Sequence, residues 1–357
     1  MVNTVSDLTT ALPEQYVGAS AWSGRELRDS DAWMYHFSAA DIAELEAALH
    51  SSLAQKTPLV ELDQESFPLP NLGERLRALR DEVVTGRGFS LLRGLPVERL
   101  GIEHSARIYL GLGAYVGRPV SQNAKGHLLG HVTDLNLDVD DPQVRTYQTT
   151  ARQYYHADSC DIVCLLCLKT AKEGGLSSIV SSVALYNEVM RQRPDLAAVL
   201  SAPIAIDRRG EVPAGHKPYF MLGVFNHFEG YVSTYYSRRY AESAQRFDDA
   251  PRLTPAHLEG FDLLDTLVED ADMHLNMALR PGDIQLVHNH TILHDRTAFV
   301  DWPEPQRRRH LLRLWLCPPN GRPLAPRYAQ RWGSIVVGDR GGIRVPGASL
   351  RAPLSPE

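Results

Sequence analysis

Cysteine is scarce in this chain. Four in 357 residues cannot form the disulfide framework of a small secreted protein, and the chain reads as one made for a reducing, cytoplasmic setting. Long apolar runs are missing as well. The longest uninterrupted one, Ile162 to Leu168, is far shorter than a membrane span. The opening MVNTVSDLTTALPEQY has neither a basic leader nor an apolar stretch, so it does not read as a secretory signal. A basic surplus is also absent: Lys plus Arg number 37, Asp plus Glu 43, and the formal net charge is −6. No global attraction therefore draws the chain to nucleic acid or to an anionic membrane. Internal repeats and low-complexity tracts are not found.

What is present suffices for one large core, with 43% apolar and 22% charged residues. Residues 1–20 are polar and aperiodic and read as a loose leader. Ser38 is placed as an N-cap before Ile42, Leu45, Ala48 and Leu49, which recur at helical spacing. A second helix is expected from Leu72 to Val84, stopped by Gly86-Arg87-Gly88, with a short strand over 89–94 after it. From about residue 118 short apolar stretches alternate with Gly, Pro, Asn and Asp: 154–168, 178–182, 231–236, 283–288 and 310–317. Such spacing predicts an α+β chain with a mainly β core, a sandwich or closed jelly roll with flanking helices. One helix interrupts the strands, carrying Val183, Tyr186, Val189 and Met190 and ending near Pro194. The expected division is a single domain over 21–330 with a helical N-terminal part, followed by a C-terminal extension over 331–357. The Pro-, Gly- and Arg-rich tail from 318 is expected to wrap around the domain or to be loosely ordered.

The chemistry starts at His156-Ala157-Asp158. On a strand, residues two apart face the same way, so an imidazole and a carboxylate would be offered together. Two histidines and one carboxylate on one side of a metal leave its other positions open, a set suited to ferrous iron. Alone the tripeptide is weak, because a surface His beside a solvated Asp looks the same. Three further candidates, His288, His290 and His294, follow a turn and an apolar strand. The i, i+4 spacing of His290 and His294 could mimic a zinc helix. No Glu stands beside His290 to make that motif, and Asn289 and Thr291 are indifferent helix formers.

Arg309 and Arg313 alternate with His310, Leu312 and Leu314, so they share one strand face amid leucines and Trp315. Buried there, they call for anionic partners. Arg307 and Arg308 read as a solvated turn. Cys160, Cys164 and Cys167 match the spacing of an iron–sulfur motif. They lie in an apolar strand, however, and read as buried structural thiols. Gln122 and Asn123 are polar residues in a strand-like segment, fit either for substrate contact or for backbone capping.

With these pieces placed, the sequence resembles the taurine dioxygenase-like (TauD/TfdA) family. The matching pieces are HAD at 156–158, EGGLSS at 173–178, GDIQLVHNHTILHDR at 282–296 and RRRHLLR at 307–313, with GRGFSLLRGLP at 86–96 upstream. The resemblance implies a double-stranded β-helix core and an Fe(II)/2-oxoglutarate-dependent dioxygenase that consumes O2 and releases succinate and CO2. It implies iron ligation by His156, Asp158 and His294, and a 2-oxoglutarate carboxylate on Arg309 helped by Ser177, where the family's usual residue is Thr. It places Arg313 at an anionic group of a small substrate such as an amino acid or organic acid. Asp158 argues for hydroxylation, desaturation or ring closure over halogenation. A short extension, Asp301-Trp302-Pro303-Glu304-Pro305, leaves the register among Arg307, Arg308 and Arg309 open. The rival readings are a cupin-type metal enzyme that does not use 2-oxoglutarate and a non-catalytic jelly-roll binding module. Homo-oligomer formation is left open.

Overall fold

Two sheets frame the molecule, and their strands carry the expected site residues. The computed structural model describes residues 12–139, 144–213, 215–344 and 347–356. The larger sheet has seven strands. Its path runs Met34–His36, Phe89–Arg93, Ile284–His288, Ile162–Lys169, His310–Cys317 and Arg118–Val120, with Leu129–Val132 also paired to His310–Cys317. The smaller has four, in the order His274–Met277, Ser177–Ser181, Ile292–Arg296, Gln153–His156.

The central strands of the larger sheet are apolar on both faces because both faces are covered. Along His310–Cys317, Leu312, Leu314 and Leu316 join a core with Leu45, Leu76 and Ile108 from three N-terminal helices. Trp315 and Cys317 point the other way and share a cluster with Ile179, Met277 and Ile292 of the smaller sheet. Each such leucine is fully buried and contributes roughly 1.5–3 kcal/mol of transfer free energy. The outer face of the smaller sheet is closed by Ser182–Gln192, Pro194–Ser201 and Pro255–Glu269. Val180 and Leu293 meet Leu185, Leu200 and Phe261 there.

Ser38 does cap its helix, accepting from the Asp41 amide, and the helix runs Ala39–Ala54. Leu72–Thr85, Phe89–Arg93 and His310–Cys317 fall where expected. Three points differ. The stretch 154–168 is two strands in different sheets, and Asp158 lies beyond the end of the first. Val97–Val116, for which no element was expected, is helical on both sides of a kink at Gly101 (φ +68). Gly111 sits in it because a Cβ would fall 2.4 Å from the Phe67 ring. The leader is not loose throughout. Residues 1–11 are outside the described residues, but Tyr16 donates its amide to Asn187 Oδ1 (2.8 Å) and packs edge-on against Tyr186.

The tail wraps the domain. Its Arg340 is 1% exposed and reaches Asp161, while the Leu128 amide donates to the Arg351 carbonyl. All four cysteines are free and buried, as expected of structural thiols. Among the described residues no helix is long and apolar enough to cross a membrane.

Candidate active site

Strand register brings the first two candidates together. His294 pairs directly with His156 across neighbouring antiparallel strands, and their ring centroids are 4.2 Å apart. A slip of one residue would turn one ring to the far face. Asp158 joins from the loop after His156. Its Oδ1 is 3.8 Å from His156 Nε2 and its Oδ2 is 4.0 Å from His294 Nε2. The three ligand atoms lie within 4.8 Å of one another, and this is the one such cluster found among the described residues. His288 and His290 are elsewhere: His288 bonds Thr291 and His290 bonds Asp161. His294 is on a strand, which removes the zinc-helix reading.

The loop is held in place by Asn289, whose Oδ1 accepts from the Asp158 amide (3.0 Å) and whose own amide donates to Asp161 O. No local pattern marks Asn289 for that role. Trp315 Nε1 donates to Asp158 Oδ2 at 2.9 Å. Burial opposes ionisation of Asp158, but Arg313, the histidines and this bond outweigh it and hold the carboxyl below its usual range. Burial, with His156 beside it, pushes His294 down to about 3, so its ring is neutral and able to ligate. His156 Nδ1 donates to Tyr154 O (2.8 Å), which leaves Nε2 as the acceptor; it takes a hydrogen bond from Gln153 Nε2 (2.9 Å) and lies 3.8 Å from Asp158 Oδ1. Two imidazoles and one ionised carboxylate converging in a partly buried site fit a ferrous ion.

A pocket beside the triad is lined by Ser177, Arg296 and Arg309. Arg309 is 4% exposed, and its Nη1 is buried with no hydrogen-bond partner. Burial pushes it down to about 10. A guanidinium so placed lacks an anion, and a carboxylate entering the pocket would supply one. Ser177 Oγ donates to Gln285 Oε1 at 3.0 Å. Gly175, with φ +69, leaves the space beneath Arg309: a Cβ there would meet its Nε at 3.0 Å. The three arginines of the open register take different positions. Arg307 stacks on exposed ground over Trp302, Arg308 bonds Asn136, and only Arg309 turns into the pocket. Arg296 was missed. It donates to Thr149 O and Ala151 O, and burial together with Arg309 pushes it down to about 9. Its position two residues after His294 on one strand was the available signal.

On the other side a cavity of about 1080 Å³ exposes His156, Asp158 and Arg313. Arg313 lies between Tyr147 and Trp315, and its Nε donates to Gln122 Oε1 at 2.6 Å. Gln122 Nε2 donates in turn to Arg313 O and Leu128 O, so this side chain fixes the arginine. Asn123 also lines the cavity, but its Oδ1 caps the turn amides of Lys125 and His127.

Residues 53–315 match the family described as "Taurine catabolism dioxygenase TauD, TfdA family". The chain is 30% identical to FR-33289 synthase of Streptomyces rubellomurinus over 329 residues, 90% of this chain and 96% of that one. Among solved structures it is similar to an asparagine oxygenase in complex with Fe(II), 3-hydroxyasparagine and succinate. The TM-score is 0.62 at 17% identity, covering 80% of this chain and 93% of that one. It is also similar to the non-heme iron oxygenase OrfP in complex with Fe and alpha-ketoglutaric acid, with TM-score 0.57 at 14% identity, covering 79% and 93%.

Proposed function

The chain belongs to the TauD/TfdA family of dioxygenases, and from that premise we propose that its own His156, Asp158 and His294 hold the ferrous ion. The enzyme is an Fe(II)/2-oxoglutarate-dependent oxygenase acting on a small molecule. When bound, the ferrous ion and 2-oxoglutarate supply the oxidising chemistry: O2 is consumed, succinate and CO2 are released, and a substrate C–H bond is oxidised. The observation that carries the assignment of residues is the joint one: three convergent ligand atoms beside a buried arginine with an unpartnered Nη1.

In this reading Arg309 anchors the distal carboxylate of 2-oxoglutarate, with Ser177 beside it and Arg296 adding positive potential from the same wall. Arg313 takes an acidic group of the substrate, clamped by Gln122 so that little freedom is lost on binding. Asn123 borders the substrate while capping its turn. Trp315 and Asn289 orient Asp158. We read the two facing sheets as a double-stranded β-helix and residues 21–330 as one catalytic domain strapped by 331–357. A cytoplasmic setting suits the four free, buried thiols. An amino acid or related organic acid suits the arginine-lined cavity.

The test is an anaerobic titration with Fe(II) and then 2-oxoglutarate. We expect one iron per chain and a weak visible charge-transfer band, both lost in His156→Ala and Asp158→Ala. Iron binding with no change on adding 2-oxoglutarate would favour a cupin-type enzyme. Absence of stoichiometric iron would leave a non-catalytic module.

A further inference from the structure

The chain is acidic overall, yet nine Lys or Arg and five Asp or Glu line the large cavity. Most of the cations have carboxylate partners. Glu211 serves Arg145 and Arg331, and Asp265 serves Arg238. Arg208 has none. It is 3% exposed, its Nε donates to Lys217 O (3.1 Å), its Nη2 donates to Gln330 O, and its Nη1 is buried without a partner. Carbonyl groups orient a guanidinium but do not neutralise it.

Arg331 stands beside it. The two guanidinium carbons lie 5.3 and 5.8 Å from the centroid of the same ring, Phe220. Arg331 shares its carboxylate, Glu211, with Arg145. Its Nε donates to Ser159 Oγ at 3.0 Å, and Ser159 immediately follows Asp158. Burial, with Arg331 as a like-charged neighbour, pushes Arg208 down to about 10. Two cations on one ring, with half a carboxylate between them, are costly to bury unless an anion joins them. The hydroxyls of Ser159 and Tyr235, 3.3 Å apart, line the same wall.

Resting on the reading above, we propose that Arg208 and Arg331 form a second anion subsite and that the substrate is a compact molecule with two acidic groups. One group meets Arg313 and the other meets this pair. The second group is a phosphonate, phosphate or carboxylate. All three offer oxygens in the geometry that a guanidinium fork accepts.

The experiment uses the anaerobic enzyme loaded with Fe(II) and 2-oxoglutarate and titrates it calorimetrically with methylphosphonate and, separately, acetate. Saturable binding of one of them is expected, and which one binds tells phosphorus oxyanion from carboxylate. Arg208→Gln should weaken it roughly ten- to hundredfold, the worth of one or two hydrogen bonds to a charged group. Arg331→Gln, at a less buried position, should act in the same direction, and Arg313→Gln should leave this binding in place. No binding of either anion, binding unchanged in both Arg208→Gln and Arg331→Gln, or binding abolished by Arg313→Gln alone would overturn the subsite. The 2-oxoglutarate band in each sample reports folding and the underlying assignment. Its retention with anion binding lost in Arg208→Gln or Arg331→Gln isolates the subsite, whereas its absence in the wild type would sink the reading on which the proposal rests.

Discussion

Arg313 Nη1 stands 3.5 Å from Asp158 Oδ2. One guanidinium thus faces the Asp158 carboxylate with one nitrogen while Gln122 holds another. A residue so fixed can present charge to a substrate without reordering. Arg313→Gln should weaken binding of an anionic substrate roughly ten- to hundredfold. Affinity for 2-oxoglutarate should hold, since Arg309 is untouched. Substrate and 2-oxoglutarate titrations of one iron-loaded sample decide this. Unchanged substrate affinity would remove Arg313 from the binding site.

Arg309 carries a different cost. It is buried, its Nη1 is orphaned, and among the described residues its guanidinium forms no salt bridge: Asp301 accepts only the backbone amide and attracts the charge at longer range. The free enzyme therefore stores unfavourable energy that 2-oxoglutarate relieves. Arg309→Met should leave the ligand-free protein as stable as the wild type or more so, while stabilisation by 2-oxoglutarate disappears. Thermal melts with and without 2-oxoglutarate separate these effects. A variant that still gains full stabilisation from the ligand would refute the assignment.

Gly175 supports that arginine from below. Its φ of +69 is open to glycine at little cost, and a Cβ would press on Arg309 Nε at 3.0 Å and Cδ at 3.3 Å. Gly175→Ala should cost about 1 kcal/mol in backbone strain and shift the arginine. The expected result is weaker 2-oxoglutarate binding with iron binding kept. Equal weakening of both would point to a general loss of fold instead.

Local pattern made much of this site legible. The HAD tripeptide was visible as residue types at suitable spacing, as were three candidate histidines and a run of arginines, from which the family resemblance singled out His294 and Arg309. Pattern was weaker where tertiary structure decides. Asp158 was placed on a strand, but the chain leaves the sheet at His156 and crosses to the other one. Arg208 and Arg331 lie 123 positions apart and meet only over Phe220, so no local window could join them. The segment Val97–Val116 drew no reading from the sequence: Gly101, with φ +68, kinks it, and Gly111 and Gly113 admit Phe67 and Leu314 at close range.

The tail decides how firmly the ligand loops are held. Arg340 Nε and Nη2 reach Asp161, which also bonds His290 Nε2 at 2.8 Å, and all three are about 1% exposed. Asp161 ends the loop that carries Asp158, and His290 lies in the turn before His294. Arg340→Met would leave a buried carboxylate facing a neutral imidazole, since burial pushes His290 down to about 4. That should cost about 3–5 kcal/mol, whereas Asp161→Asn added to it should recover part of the loss. The same cluster sets an acid limit. Above pH of about 6.5 His290 is neutral folded or unfolded. As pH falls toward about 4, only the unfolded chain takes up the proton, so stability declines through that window. Asp161, held below the usual carboxylate range by His290 and Arg340 against the effect of burial, adds loss in the same direction at lower pH. Denaturant unfolding at pH 7.5 and at pH 5 measures both effects. A cost for Arg340→Met under about 1 kcal/mol, the level of a surface pair, would mean that the tail does not anchor the loops.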